Sequence, residues 1–252
     1  MRNKLISTTP KKDEFYNGIR ICADYKLHEQ AFEFFKKFVS PGSTVLDIGA
    51  GQGAFSKRLN DDNYKVKALD FDEENWKPKE IPFLKLDINK GVYNSVNEIF
   101  DAAVCLEVIE HVENPWELLR DIRKVVKPGG KLILSTPNIT SFWSRIYFLR
   151  SGYYHQFMPY DLEYGHISPI TYHEIRIIAK NTGWKMLDIR DGGYLPIFDF
   201  SEMKPPLLIS NLFRWFFYLI SKNYKKGWAL MFMMEKISDD EFKVPEPGKY
   251  SL

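Results

Sequence analysis

With 252 residues, 44% of them hydrophobic and 27% charged, the chain has the make-up of an ordinary soluble domain with enough apolar material for one sizeable core. Thirty-five basic residues against 33 acidic ones leave a formal charge of +2, which removes any global pull toward nucleic acid and favours a small polar substrate. Cys22 and Cys105 form no CxxC pair, and the polar N-terminus has no apolar run of the kind a secretory signal requires, so a reducing cytoplasm is expected.

The first helix is expected over 28–38, where Ala31, Phe32, Phe34, Phe35 and Phe38 lie mostly on one face and Pro41-Gly42 ends it. Thr44-Val45-Leu46-Asp47-Ile48 then reads as an apolar strand that delivers an acid into Gly49-Ala50-Gly51-Gln52-Gly53-Ala54. Glycines at that spacing let backbone N–H groups approach a ligand where a Cβ would intrude, and Ser56-Lys57-Arg58-Leu59 can open a helix over it. The same loop also satisfies the dinucleotide fingerprint G-x-G-x-x-G/A, with Asp70 about 20 residues on as a ribose acid, so a nicotinamide oxidoreductase is one reading. Asp47 speaks against it. A carboxylate at the mouth of the loop repels a pyrophosphate and suits a ligand that carries an ammonium group.

Strand-like and helix-like signals then alternate, which argues for a mostly parallel sheet covered on both faces. Ala68-Leu69-Asp70-Phe71-Asp72, then Phe83-Leu84-Lys85-Leu86-Asp87-Ile88, then FDAAVCLEVIEHV at 100–112 have the look of strands with polar exits. Asn114 can cap a helix with Pro115 at its first position and Glu117 near the positive end of the dipole, and Pro128-Gly129-Gly130 stops that helix. Thr171-Tyr172-His173-Glu174 is a capping box for a helix ending at Gly183.

Taken together with Lys127-Pro128-Gly129-Gly130 and the strand that runs to Asn138, these segments resemble the class I S-adenosylmethionine-dependent methyltransferases. The first motif of that family is Asp/Glu-x-Gly-x-Gly-x-Gly, here Asp47, Gly49, Gly51 and Gly53, and with it five motifs stand in order across 44–138. The resemblance implies an α/β, Rossmann-like, doubly wound and mostly parallel seven-stranded sheet with helices on both faces, finishing with strands at 184–190 and 227–237. It implies one domain: an N-terminal helical cap at 1–40, a cofactor-binding core at 41–138, a substrate lid at 139–170, a C-terminal half at 171–237 with an aromatic insertion at 205–226, and a tail at 238–252. The implied cofactor is S-adenosylmethionine. Asp47 is then expected to hold the methionine ammonium, the backbone of Gly49, Ala50, Gly51 and Gly53 to pass beneath the sugar and methionine part, and Asp70 to grip both ribose hydroxyls. Asp87 and the Ile88 backbone are expected at the adenine, with Phe71 packed on the ring and Leu106 and Glu107 completing the set. Leu106-Glu107-Val108-Ile109 stands where amide- and amino-base-methylating relatives carry Asn/Asp-Pro-Pro-Tyr/Phe, which points away from those acceptors; a hydroxyl on a small molecule or glycan is expected instead.

A hydroxyl acceptor must lose its proton as it attacks, so a base is needed. His111 is the first candidate, because it follows Glu107 and Glu110 at the exit of the fourth strand and an imidazole pKa of ~6.5 suits the task. Its Glu-x-x-Glu-His setting resembles the ubiquinone-pathway O-methyltransferases, in which the corresponding groups can help hold a divalent metal; a catalytic or structural role for His111 is preferred here, and no metal is assigned. His166, ahead of the capped helix, is the second candidate, while His28, His155 and His173 read as surface residues. Eight aromatics and two arginines without an acid at 142–160 suit a lid that stacks on a ring or sugar, or else a plug for the end of the sheet. The insertion at 205–226 is too short to span a bilayer, yet its trailing Lys222, Lys225 and Lys226 permit peripheral membrane contact or a lipid-linked substrate, as well as plain packing or a dimer face. The lid, this insertion and 16–25 are expected to shape the acceptor pocket. A catalytically silent, cofactor-binding domain is the remaining alternative.

Overall fold

The computed structural model describes residues 14–193, 227–246 and 248–251. The insertion at 205–226 lies outside them. The described chain opens on a short antiparallel hairpin, β1 (Phe15–Tyr16) and β2 (Ile19–Arg20), inside the stretch expected to be a helical cap. Asn17 and Gly18 turn it with φ of 48° and 78°, the left-handed pair that a two-residue hairpin loop demands. Helix α1 (Leu27–Phe35) follows, shorter at its C-terminal end than the expected 28–38, and buries Leu27, Ala31, Phe32, Phe34 and Phe35.

The main sheet has seven strands: β3 (Thr44–Ile48), β4 (Lys65–Asp70), β5 (Phe83–Lys85), β6 (Phe100–Cys105), β7 (Val126–Pro137), β8 (Trp184–Gly192) and β9 (Ala229–Lys236). Their order is β5-β4-β3-β6-β7-β9-β8, parallel from β5 through β7, with β9 antiparallel to both of its neighbours. This is the doubly wound, Rossmann-like sheet expected from the alternation. Strands buried on both faces show continuous apolar runs, and β3 beyond Thr44 is buried throughout.

The two-residue period of the strands divides the core. Leu46, Ile48, Ala103 and Cys105 join Leu119 and Ile122 of α3 (Pro115–Val125) and Ile175 and Ile178 of α5 (Tyr172–Asn181) on one face. Val45, Ala102, Val104 and Ile133 meet α1 and the Phe55 and Leu59 of α2 (Ala54–Asp61) on the other. Both helix starts on the first face follow their caps: Asn114 Oδ1 accepts from the Glu117 N–H at 3.2 Å, and Thr171 and Glu174 form the reciprocal box.

Two local expectations need correction. Asp87 is not a strand residue, because β5 ends at Lys85 and the Asp87 carboxylate accepts from the Asn89 N–H at 3.1 Å, capping a single 3-10 turn, Ile88–Lys90. An aspartate that bonds its own backbone two residues ahead competes with the ladder, and at a sheet edge it wins. Pro128-Gly129-Gly130 is no free turn either: α3 ends at Val125, and Val126 already pairs with Phe100, so the three residues form an irregular start to β7. A Cβ on Gly130 would lie 2.8 Å from the Asp101 carbonyl oxygen, so a side chain there would force the strands apart.

All loops that leave the parallel strands at their C-terminal ends share one edge of the sheet. Through the pairs Pro137–Ala229 and Gly192–Ala229, the end of β8 and the start of β9 reach the same edge. Helix α4 (Phe142–Ser151) also begins there, capped by Ser141, whose Oγ accepts from the Ser144 N–H at 3.2 Å.

Candidate active site

At the centre of that edge β3 lifts Asp47, only 3% exposed, to the root of the glycine loop. Its Oδ2 accepts from the Ser56 hydroxyl on α2 at 2.5 Å. Burial pushes the Asp47 carboxyl up to about 7 against the opposing Ser56 bond, with nearby Asp70 adding to the rise. Among the described residues no cation is one of the groups that set its charge, so an ammonium placed here would supply a counter-charge.

Gly49, Gly51 and Gly53 all take left-handed φ, and two of them have no room for a side chain. A Cβ on Gly49 would collide with Val108, and one on Gly53 would lie 2.5 Å from Pro78 and 2.7 Å from Trp76. Gly51 has nothing within 4 Å of its Cβ position, so the space over the loop is open. The Gly49 and Ala50 N–H groups donate back to the Leu69 carbonyl at 2.9 and 3.1 Å, tying the loop to the end of β4.

Asp70 completes that tie. Its Oδ2 accepts from the Gly51 N–H at 2.8 Å and its Oδ1 from the Asp72 N–H at 2.9 Å, which leaves one lone pair on each oxygen for a vicinal diol. Phe71 beside it is 73% exposed. Asp87 lies beyond, pairs with Lys90 at 3.5 Å, and is followed by half-buried Ile88. Leu106 is buried at the exit of β6, and Glu107 takes φ 53°, a conformation that strains any residue with a Cβ. Ser135 on β7 holds it there, accepting from the Glu107 N–H at 3.0 Å and donating to Oε1 at 2.7 Å. This strain has no signature in the sequence.

Next to these groups lie buried acids and two imidazoles. Glu110 is fully buried; Thr136 donates to its Oε2 at 3.3 Å, and its Oε1 has no partner. Burial raises the Glu110 carboxyl to about 8 and holds Glu107 well above the usual carboxylate range, with Glu110 and Asp24 adding to the latter. Asp24 was not singled out by its residue type, although it falls inside the 16–25 segment assigned to the acceptor pocket. Burial raises its carboxyl too, opposed by Gln156 and His166.

His111 and His166, far apart in sequence, meet edge to face with ring centroids 4.8 Å apart. Burial lowers the His111 imidazole below its ordinary value, and His166 adds to this. His166 Nδ1 stands 2.6 Å from the Gln156 carbonyl oxygen, and Phe157 flanks its ring at 5.4 Å. Ligand atoms of Glu110, His111 and His166 also lie within 4.8 Å of one another, a spacing that one cation could share.

The other histidines divide. His173 is exposed as expected, but His28 packs edge-on against Phe55 at 5.2 Å and is pushed down to about 3 by burial and Arg58. His155 lies 4.1 Å from the Trp228 ring and is pushed down to about 4 by burial. Of the described aromatics at 142–160, none enters either core cluster. Phe148 and Tyr154 stack on each other at 4.8 Å, and Phe157 turns toward the imidazoles.

Comparison with known proteins bears on the family and the fold. A family model described as a methyltransferase domain matches residues 23–189. A ubiquinone biosynthesis O-methyltransferase of Xanthomonas campestris pv. campestris (strain B100) is 34% identical over 108 residues, covering 40% of this chain and 45% of the relative. One from Caulobacter vibrioides is 35% identical over 107 residues, covering 39% and 42%. The matched stretch thus spans less than half the length of these relatives. Among solved structures, a SAM-dependent methyltransferase from Archaeoglobus fulgidus superposes with a TM-score of 0.58 at 17% identity, covering 83% of this chain and 92% of its own. A Thermotoga maritima SAM-dependent enzyme described as a possible histamine N-methyltransferase gives 0.56 at 19%, covering 84% and 89%. These two show the shared fold. With the family model spanning well over half of the sequence, the nicotinamide reading is set aside. The chain belongs to the methyltransferase-domain family.

Proposed function

We propose that the chain uses S-adenosylmethionine to methylate a hydroxyl of a small-molecule or glycan acceptor, with the His111–His166 pair supplying the imidazole that takes the proton. The observation that carries this reading is the contact of the two imidazoles, 4.8 Å apart, beside the exit of β6. The cofactor brings an already activated methyl group, so the chain's tasks are to align the acceptor and accept its proton. As the acceptor oxygen forms its bond to carbon, a neutral imidazole removes the hydrogen it can no longer keep. Burial, which favours the neutral ring, suits His111 to that step.

On the cofactor side, Asp47 meets the methionine ammonium and Asp70 offers its remaining lone pairs to the ribose diol. Asp87 and Ile88 serve the adenine, on which exposed Phe71 packs. Relatives named as O-methyltransferases support the hydroxyl. The insertion at 205–226 is assigned contact with a membrane surface or a lipid-linked acceptor, on the strength of its aromatic-then-basic order.

One observation favours a second reading: Asp24, Glu107 and Glu110 gather carboxyl groups that would hold a cationic amine. The test is methyl transfer from labelled cofactor to matched panels of phenols, sugars and amines. Methylated hydroxyls are the expected product. Methylation confined to amines would overturn the first reading in favour of the second.

A further inference from the structure

Gln156 joins three parts of the acceptor side. Its side-chain Nε2 donates to both carboxylate oxygens of Asp24, each at 3.4 Å, and so connects the lid to the N-terminal segment. Its backbone carbonyl faces His166 Nδ1 at 2.6 Å. Its own backbone has φ 66°, left-handed for a residue with a Cβ, and no local glycine explains this. A residue keeps such a conformation only where its surroundings over-determine it, and here the Asp24 contact grips the side chain while the imidazole meets the carbonyl.

The chemistry of that carbonyl is one-sided. A carbonyl oxygen accepts and never donates, so at 2.6 Å the ring atom facing it must carry the hydrogen. In a neutral imidazole the other nitrogen then holds the lone pair. We propose that Gln156 is a positioning residue: its left-handed backbone, clasped by Asp24, holds His166 as the Nδ1–H tautomer and leaves Nε2 as the only ring atom able to take a proton. The consequence for turnover rests on the reading of His166 as proton acceptor for a hydroxyl. The tautomer does not.

The experiment is a long-range 1H–15N spectrum of the full-length protein labelled at histidine, recorded at about pH 8.5, two units above the ordinary imidazole value, with a chelator present so that no metal sets the tautomer. His166→Ala assigns the signals. The expected wild-type pattern is a protonated Nδ1 and a bare Nε2. Gln156→Val removes the amide and disfavours positive φ, and it should shift His166 toward a tautomer mixture. Gln156→Gly keeps the backbone conformation and its carbonyl, and Gln156→Asn tolerates that conformation, so both should retain the wild-type pattern. A protonated Nε2 in the wild type overturns the proposal, as does an unchanged pattern in Gln156→Val. If Gln156→Val does not fold, the wild-type spectrum and Gln156→Gly decide, and loss of the pattern in Gln156→Gly counts against the backbone's role. An amine acceptor in the methyl-transfer panel would sink the hydroxyl reading and leave the spectra to judge this one.

Discussion

Between Thr44 and Asp70 the site is made of backbone held by near neighbours, whereas around His166 it is made of side chains delivered from remote segments. Gly51 is fixed by a carboxylate 19 residues away and Asp47 by a hydroxyl nine residues away. Asp24 and Gln156 meet across 132 residues. A cofactor loop of this kind is a property of one stretch of chain and can be shared by many enzymes. An acceptor pocket is a property of packing, and each enzyme builds its own.

The comparison breaks if the two halves cannot be perturbed separately. The largest effect is expected from His166→Ala, which should lower kcat by about 10²–10⁴-fold, the usual worth of a general base, while leaving the calorimetric affinity for S-adenosylhomocysteine unchanged. A matching loss of affinity would merge the halves. Asp70→Ala should do the converse, weakening that affinity by about tenfold or more, equivalent to about 1.4 kcal/mol, with a smaller effect on turnover at saturating cofactor.

A pH dependence sharpens the cofactor half. The Asp47 carboxyl sits at about 7 when folded against 3.8 ordinarily, so between those values the folded protein keeps a proton that the unfolded chain has lost. Its contribution to stability therefore falls as pH rises through that window. Without ligand, the melting temperature of Asp47→Asn should depend less on pH between about 5 and 7 than that of the wild type. Binding of the product's ammonium favours the charged carboxylate, so S-adenosylhomocysteine should bind the wild type more tightly as pH rises through about 7 and Asp47→Asn with a flatter profile. A flat wild-type profile would remove Asp47 from the ammonium. The smallest effect is expected at Leu149 on α4, 85% exposed, where Leu149→Ser should change unfolding free energy by no more than about 0.5 kcal/mol in a denaturant titration. A larger loss would mean that the outer face of α4 packs against something.

What was legible in the sequence follows the same division. The glycine loop, the Asn114-Pro115 start and the Thr171–Glu174 box obey local rules, and each stands where those rules put it. The Asn17-Gly18 turn was equally legible, yet a helical cap was expected over it. Asp87 was misplaced because its neighbours look strand-like while its side chain prefers the backbone just ahead. The strained Glu107 and the Asp24–Gln156 clasp could not be read at all, since one depends on Ser135 from a neighbouring strand and the other on how the segment after α4 packs on the N-terminal segment.

The paired ends of β8 and β9 have a consequence for how the connection between them can vary. Gly192 and Ala229 face each other across a finished ladder, so the sheet's register is complete without help from whatever sequence joins them. Doubling the length of a flexible connection costs only about 0.6 kcal/mol in closure entropy. The connection after Gly192 can therefore vary in length at small cost to the sheet, while the strands that carry the glycine loop and Asp70 keep their register.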